Sequence, residues 1–389
     1  MVKRHSYPDT WSIGTLEDIC VPNGVVRGPF GGALKKEIFV PFGYKVYEQR
    51  NAIYQSVNIG SYYVNESKYR EMSRFAVKSG DYIISCSGTI GRIYQIPLTF
   101  PKGIINQALL KLTINTEKIN PTYFYKYFQW DKFQQKIIDD TQGGAMKNLV
   151  GMDIFKKAPI VLPEMKEQTA IAEALSDIDG LISSLQKLIE KKKAIKQGTM
   201  QELLTGKKRL PGFSEEWAYR RVGEICSITK GQIITEKTAI HGNVPVIAGG
   251  KTPAFYHNVA NRESDVITIS ASGANAGYIA YHDYPIFASD CSTIESSDQY
   301  DVKFIYYALL YHQQELIGMQ TGGAQPHIHP KEIGVLLVPR INQEEQRAIA
   351  NVLSDMDSEI EQLEKKLAKY QQIKQGMMQE LLTGRIRLV

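Results

Sequence analysis

The sequence predicts an α+β protein built twice over: two pseudo-symmetric domains of mixed α and β structure, separated by two long helices that form an intramolecular antiparallel coiled coil. Three observations predict it. The stretch IKQGTMQELLTG at Ile195–Gly206 returns as IKQGMMQELLTG at Ile373–Gly384 with a single change. Each copy closes a segment whose apolar residues recur at alternating steps of four and three. Each is also preceded by strand-like runs broken by Ser-Gly turns.

The repeat extends well beyond those letters. EQTAIAEALSDIDGLISSLQKLIEKKKAIKQG from Glu167 matches EQRAIANVLSDMDSEIEQLEKKLAKYQQIKQG from Glu345, an offset of 178. Upstream, TQGGA at Thr141 answers QTGGA at Gln320, each after an aromatic run with helical spacing, YFYKYFQWDKFQQKII and KFIYYALLYHQQELI. At the front of each half, DTWSIGTLEDIC resembles EEWAYRRVGEIC, with Trp11 and Trp217 206 positions apart. The first half therefore carries about 28 extra residues, the difference between the two offsets, and Phe39 to Phe75 has no counterpart to absorb them. Two copies are too few for a solenoid. The expected boundaries are a first domain at 1–163, a central helix at 164–206, a second domain at 207–340 and a C-terminal helix at 341–389.

The helices follow from their seams. Ile171, Leu175, Ile178, Ile182, Leu185 and Ile189 form one apolar stripe, and Ile349, Leu353, Met356, Ile360, Leu363 and Leu367 form the other. A lone amphipathic helix would leave its stripe in water, so the two are expected to bury each other; pairing between chains is the alternative. Gly198 and Gly376 fall inside these helices, where Gly costs about 1 kcal/mol relative to Ala. Close approach of a partner backbone is the expected compensation. Gly206 and Gly384 have the position of C′ caps, and Pro211 stops the first helix.

Within each domain, DYIISCSGTIGRIYQI (Asp81–Ile96) and DVITISASGANAGYIAY (Asp265–Tyr281) each read as strand, Ser-Gly turn, strand. These blocks diverge between the halves far more than the helices do. One frame carrying two different inserts suggests that two different things are recognised.

Composition excludes several classes. With 43% hydrophobic and 22% charged residues the chain of 389 residues has ordinary globular composition. No stretch reaches the roughly 18 apolar residues of a membrane span, and the basic start MVKRHS leads into no apolar leader, so no membrane partner and a cytoplasmic location are expected. Cys20, Cys86, Cys226 and Cys291 are far apart and form no CxxC pair, which argues for reduced core thiols. A net charge of +5 is mild, so a nucleic-acid role must come from local clustering. IAGGKT (Ile247–Thr252) resembles the end of a phosphate loop, but Pro245 stands where its first Gly is required. The HIH at His327–His329 lacks a third ligand, so no metal is expected. No NPPY, DPPF or FxGxG stretch is present, so no methyl-donor site is expected in this chain.

Taken together, the helix openings of the form P…EQxxIAxxLSDxDxxI after Pro163 and Pro339, the two KQGxMQELLTG helix ends, KKRLPGFSEEW at Lys207–Trp217, SGDYIISCSGTIG, and the turns GGAMKN and GGAQPH resemble the specificity subunits of type I restriction-modification systems. They cover most of the chain in the family's order. The second turn departs from the pattern, reading SGANAG rather than SGTIG. The resemblance implies two target-recognition domains, each reading one half of a split sequence in double-stranded DNA. It also implies helices that dock two methyltransferase subunits, restriction (motor and nuclease) subunits in the same complex, and no catalysis by this chain. S-adenosylmethionine, ATP and Mg are then expected in the partner subunits, and no cofactor in this one.

The candidate DNA-contacting residues are the polar, basic and aromatic ones of the variable blocks, types that reach phosphates and base edges. In the first domain they are Arg27, Lys35, Lys36, Gln49, Arg50, Asn51, Arg70 and Arg74, then Ser87, Thr89 and Arg92 around the turn, and Lys147 and Asn148. In the second they are Lys230, Lys237, Lys251, Tyr256, His257, Asn258 and Arg262, then Ser272 and Asn275 on the turn, Gln325, His327 and Lys331. The Ser-Gly turns either offer backbone N–H groups to phosphate or serve only as hairpin turns. The basic run of Lys187, Lys191, Lys192, Lys193, Lys196, Lys207, Lys208 and Arg209 either faces phosphate or complements the helix macrodipole. The aromatic runs read as core. A functional alternative is a non-catalytic coiled-coil adaptor or scaffold carrying two ligand-binding domains.

Overall fold

The computed structural model describes residues 7–139, 148–295, 297, 299–322 and 325–388. The chain divides into two compact units, Met1–Ser184 with Ala368–Val389, and Leu185–Leu367, so the division falls inside both long helices.

Unit one contains β1 (Ser12–Thr15), β2 (Cys20–Arg27), β3 (Tyr44–Tyr47), β4 (Tyr63–Val64), β5 (Tyr82–Ser85), β6 (Ile93–Gln95), β7 (Gly103–Ile105), β8 (Leu109–Ile114), β9 (Ile138–Asp139), β10 (Asn148–Leu149) and β11 (Pro159–Leu162). Its short helices are α1 (Gln49–Ile53), α2 (Glu66–Glu71), α3 (Pro121–Gln129), α4 (Asp131–Ile137) and α5 (Met152–Lys156), and α6 (Met165–Leu204) begins in it. A four-stranded antiparallel sheet runs β2-β8-β5-β6, and a three-stranded sheet runs β4-β3-β7 with β3 and β7 parallel. Strands β1 and β11 form a separate ribbon.

Unit two repeats this plan with β12 (Ala218–Arg221), β13 (Ile228–Lys230), β14 (Val244–Ile247), β15 (Phe255–His257), β16 (Val266–Ser270), β17 (Ile279–His282), β18 (Phe287–Ala288), β19 (Cys291–Glu295) and β20 (Leu337–Arg340). Its helices are α7 (Val222–Ile225), α8 (Val302–Tyr311), α9 (Gln313–Gly318) and α10 (Pro330–Gly334), and α11 (Gln343–Leu381) begins in it. The sheets are β13-β19-β16-β17 and β15-β14-β18, the latter with β14 parallel to β18, and the ribbon is β12-β20. Between β3 and β5, unit one has α1, β4, α2 and a 3-10 turn at Ser73–Phe75, whereas unit two has only β15 between β14 and β16. The surplus of the first half lies largely there.

The aromatic runs form core, because their spacing puts the rings on the buried face of a helix. Tyr123, Phe124, Tyr127 and Phe128 on α3 and Phe304 on α8 are fully buried, and each such side chain contributes on the order of 1.5–3 kcal/mol. Both helices start at side-chain caps: Asn120 accepts from the N–H groups of Thr122 and Tyr123, and Asp301 from that of Phe304. The cap residues are themselves braced alike. The N–H of Asn120 donates to buried Gln168 (2.8 Å) and that of Asp301 to buried Gln346 (2.9 Å), the equivalent residues of α6 and α11.

A second pair of equivalents closes each unit. Glu167 is wholly buried; Arg387 Nε and Nη2 donate to its two oxygens at 2.5 and 2.8 Å, and Trp11 Nε1 donates at 2.8 Å. In unit two Arg209 Nε and Nη2 donate to buried Glu345 at 2.6 and 2.8 Å. The guanidinium of Arg387 lies 5.5 Å from the Trp11 ring, and that of Arg209 lies 5.3 Å from the Trp217 ring. Gly384 and Gly206, both at φ +70°, let the chain turn against Trp11 and Trp217, respectively. The tail of one long helix thus completes the unit that the other helix leaves, and the repeat is circular.

The long helices run antiparallel within each unit. In unit one Asp179 receives Lys374 and Lys126; in unit two the equivalent Asp357 receives Lys196 and the hydroxyl of Tyr307. Ile171 and Leu175 pack in the core of unit one with Met378, Leu381 and Leu382, and Ile349 and Leu353 pack in that of unit two with Leu203 and Leu204. Ile178, Leu185, Ile189 and Ile360 are buried; Ile182, Met356, Leu363 and Leu367 are half-buried.

Two expectations are corrected here. Half of the basic run is engaged in ion pairs, Lys192 with Glu359, Lys193 with Glu364, Lys196 with Asp357 and Arg209 with Glu345, so those four cations hold helices and turns together. No backbone approaches Gly198 or Gly376: a Cβ at either position would meet nothing within 4 Å. Their helical cost of about 1 kcal/mol each is not offset by packing inside either unit.

Replacing Arg209 with Met strands the Glu345 carboxylate in the core and is expected to lower the unfolding free energy by about 3 kcal/mol. The double variant R209M/E345M removes both charges and should recover most of that loss, as read by urea denaturation. The pH dependence tests the matching pair. Burial alone would raise the Glu167 carboxyl, but the hydrogen bonds from Arg387 and Trp11 outweigh it and hold its pKa below the ordinary carboxylate value. Its stabilisation is therefore complete above about pH 4.3, the unfolded value, and is lost as pH falls through the lower folded value. E167Q should be less stable at neutral pH and show a flatter loss of Tm on acidification.

Candidate nucleic-acid interface

Strand direction decides which loops meet. In unit one Arg27 of β2 lies opposite Leu110 of β8, and Ser85 of β5 lies opposite Leu109. The C-terminal ends of β2 and β5 therefore share one sheet end with the start of β8. The parallel pair β3 and β7 finishes beside them, since Tyr47 is in register with Ile105 and Asn106 N donates to Tyr47 O at 2.9 Å. Loops beginning at Gly28, Glu48, Cys86 and Asn106 gather there. Arg27 ends the strand before the first of them; the others carry Gln49 and Arg50 at the start of α1, Ser87 and Thr89, and Arg92, whose carbonyl accepts from Ser85 N at 2.9 Å. Ser87, Thr89 and Arg92 are exposed, and Arg50 is paired with Glu48 at 2.7 Å.

Unit two assembles the same end by the same pairings. Lys230 of β13 lies opposite Ser292 of β19, Ser270 of β16 lies opposite Cys291, and Ile247 of β14 is in register with Ala288 of β18. The loop with Lys251, the turn with Ser272 and Asn275, and Lys230 consequently converge. A third segment joins them: Ile328 N donates to Ala271 O at 2.9 Å and Gly273 N to Pro326 O at 3.0 Å, bringing in Gln325 and His327. Ser272 donates its hydroxyl hydrogen to Asp290, a residue that no motif marks, and the ammonium of Lys251 lies 5.7 Å from the Tyr278 ring.

The remaining candidates are not brought to these ends. Arg70 is ion-paired with Glu66 on exposed α2, and Arg74 follows it in the 3-10 turn. Ala76 bridges to Ile104, so this segment leads toward the start of β7. Lys35 and Lys36 are exposed on two 3-10 turns after β2, Lys237 is exposed in the loop before β14, and Lys331 lies exposed beside Glu332. Tyr256 and Asn258 are exposed but belong to the far end of β14, where Val244 faces His257. Lys147 lies outside the described residues, and Asn148 belongs to β10.

Three candidates are corrected. Asn51 is fully buried; its amide accepts from Glu48 N and donates to the carbonyls of Ser56 and Ile59, so it shapes its own turn. His257 is buried edge-to-face against Phe287, with Nδ1 3.1 Å from Ile240 N. Arg262 directs its donors to Thr293, Thr229 and the carbonyls of Asn261 and Lys230, tying β13, β19 and the segment before β16 together. A polar side chain already engaged by partners inside the fold has less left for a base edge.

The thiols take no part. Burial pushes Cys20, Cys86 and Cys291 up to about 12 and Cys226 up to about 11, which leaves them protonated and unreactive. Among the described residues no group of three His, Cys, Asp or Glu is placed to hold a metal ion, and no helix is long and apolar enough to cross a membrane.

Each unit thus offers one sheet end where basic and hydroxyl-bearing loops converge on a rigid sheet, an arrangement suited to phosphate and base-edge contacts. Comparison with known proteins bears on what such an arrangement belongs to. The chain is 25% identical over 411 aligned positions to the putative type I restriction enzyme MjaX specificity subunit of Methanocaldococcus jannaschii, covering 98% of this chain and 95% of that one. It is 25% identical over 322 positions to the type I restriction enzyme MjaVIII specificity subunit of the same organism, covering 74% and 75%. The crystal structure of the type I restriction-modification S subunit from M. genitalium superposes with a TM-score of 0.63 at 20% identity, covering 98% of each chain. The family described as type I restriction modification DNA specificity domain matches residues 8–197 and again 214–375, and the chain belongs to that family, carrying its domain twice.

Proposed function

We propose that this chain is the sequence-reading, non-catalytic subunit of a type I restriction-modification complex, in which each unit reads one half of a split DNA target. The observation that carries the reading is the duplicated sheet end. A shared frame presents two loop sets of different sequence, Ser87–Thr89–Arg92 in one unit and Lys230–Lys251–Ser272 in the other. Basic groups at each end would neutralise phosphates and set register, while the divergent hydroxyls, amides and rings would discriminate bases. A scaffold would have no use for two divergent polar ends on one frame.

The partners we infer are two methyltransferase subunits, joined in the full complex by restriction subunits. Support comes from the helix faces that packing leaves unexplained. Ile195, Gln197 and Gly198 are exposed, and so are their identical counterparts Ile373, Gln375 and Gly376. Nothing within either unit requires those residues, yet the chain carries them twice, which fits one kind of partner bound twice. In unit one a groove lined by Gln129, Trp130, Ile182, Gln375 and Met378 runs beside that face. S-adenosylmethionine, ATP and Mg then belong to the partners' chemistry.

Exchanging Ser6–Leu162 for the matching block of a homologous subunit should change one half of the methylated sequence in cells and leave the other half as it was. Sequencing of modified bases reads the outcome, and a change in both halves, or in neither, contradicts the reading. The docking inference is tested with Gly198→Arg and Gly376→Arg, which meet open space and should leave Tm within a degree or two of wild type. Each single variant is expected to reduce the methyltransferase subunits bound per chain from two to one by native mass spectrometry. The double variant should bind none, and two retained subunits would refute the docking surface.

A further inference from the structure

Two side chains at the gathered sheet ends have no role in the account so far. Strand β2 ends at Arg27 and leads into Gly28-Pro29-Phe30, and strand β13 ends at Lys230 and leads into Gly231-Gln232-Ile233. The backbone is pinned identically in both. Gly28 N donates to Leu109 O at 2.8 Å and Gly231 N to Cys291 O at 2.8 Å. A Cβ on Gly28 would sit 1.9 Å from Asn106 O and one on Gly231 2.1 Å from Ser289 O, so only glycine allows this approach. The next residue is also held: Pro29 is buried, and Gln232 N donates to Ala288 O at 2.9 Å. From these fixed stalks Phe30 projects 82% exposed and Ile233 81% exposed.

A single exposed apolar side chain is ordinary. The same exposure at the equivalent position of both units, on a backbone that a locked glycine prevents from folding back, is not accounted for by chance placement. The surroundings select the occupant. A protein-docking residue belongs to a contiguous apolar patch, whereas each of these follows by three positions a basic residue at the gathered sheet end, Arg27 before Phe30 and exposed Lys230 before Ile233. A basic residue and an apolar tip on one fixed loop, at an end where basic and hydroxyl-bearing loops gather, match a polyanion that has an apolar interior exposed only between its stacked bases. Apolar wedges inserted at a base step, with basic neighbours on the flanking phosphates, are a known way of bending duplex DNA.

We propose that Phe30 and Ile233 are wedges, each entering the duplex at one base step of its own half-site. This rests on the DNA-reading function above and deepens it. The wedges add a selectivity that no hydrogen-bonding residue supplies, favouring steps that unstack readily, such as pyrimidine–purine steps. The side chains differ between the units, so the two half-sites need not share the same deformability.

The test uses the full chain in complex with its methyltransferase subunits and a duplex carrying the sequence found modified in cells. 2-Aminopurine is substituted singly at positions outside the methylated adenines, so that emission reports unstacking and not the flipping of a target base. Binding to the same duplexes is followed by anisotropy. Emission is expected to rise at one step in each half-site. Phe30→Ala should abolish the rise in one half only, Ile233→Ala in the other, each weakening binding by roughly tenfold. Phe30→Leu should retain part of the signal, and since both positions are exposed, Tm should not move. Failure of the wild-type complex to bind any specific duplex would instead remove the DNA-reading function itself. Tight specific binding with no rise in emission, or with a rise that survives both alanine variants, overturns the wedges. Loss of a methyltransferase subunit from Phe30→Ala would make that residue a protein contact and overturns them equally.

Discussion

A carboxylate without water is the constraint around which this molecule is arranged. Glu167 and Glu345 are buried near the start of α6 and α11, where an unpaired charge would be far too costly to keep. Each is made tolerable by a bidentate arginine from the segment that follows the other long helix, Arg387 for Glu167 and Arg209 for Glu345. The pairing has a topological consequence. The first unit is not complete until the last residues of the chain arrive, and the second is closed by the segment just after α6. A buried ion pair is weak evidence for net stability, but a docking of the tail that withdrew its arginine would leave a bare charge inside.

From that clamp the rest of each unit follows. Fixing the start of a long helix fixes Gln168 or Gln346 one residue later, which holds the cap of α3 or α8, which in turn presents its buried rings to the four-stranded sheet. The sheet so positioned brings its loop ends together by strand direction alone. Residues in this chain of support are the same or nearly the same in both units, whereas the loops at its far end are not. Rigidity and variability are thereby separated along the sequence: α1, α2 and their neighbours enlarge the first unit without disturbing the helix, cap and sheet contacts that the second shares.

How much of this could be read from the letters depends on whether a residue's role is local. The heptad stripes of α6 and α11 were legible because burial of a helix face imposes a period, and the Ser-Gly turns because they interrupt short runs of β-branched and aromatic residues that are buried throughout. The clamps were not. Arg387 and Glu167 are 220 positions apart, with no period connecting them, and Arg209 stood in a basic run that resembled a phosphate contact. Asn51, His257 and Arg262 were misread for a related reason: residue type says what a side chain can bond to, not whether the fold has already supplied the partner. Phe30 and Ile233 were passed over because a hydrophobic letter suggests core, and only the pinned glycines before them reveal that they face outward.

The helical glycines press the same logic further. Gly198 and Gly376 weaken two long helices, and each occupies open space, so neither is retained for packing within its unit. In the proposed assembly, a residue that costs stability within its own unit is answered by a contact outside it. A partner helix crossing at glycine can approach the backbone more closely than at any other residue, gaining contact area that a Cβ would forbid. Under the docking proposed above, the assembled complex would supply the contacts that these two positions leave unfilled, and the same face written twice would give each methyltransferase subunit an equivalent seat.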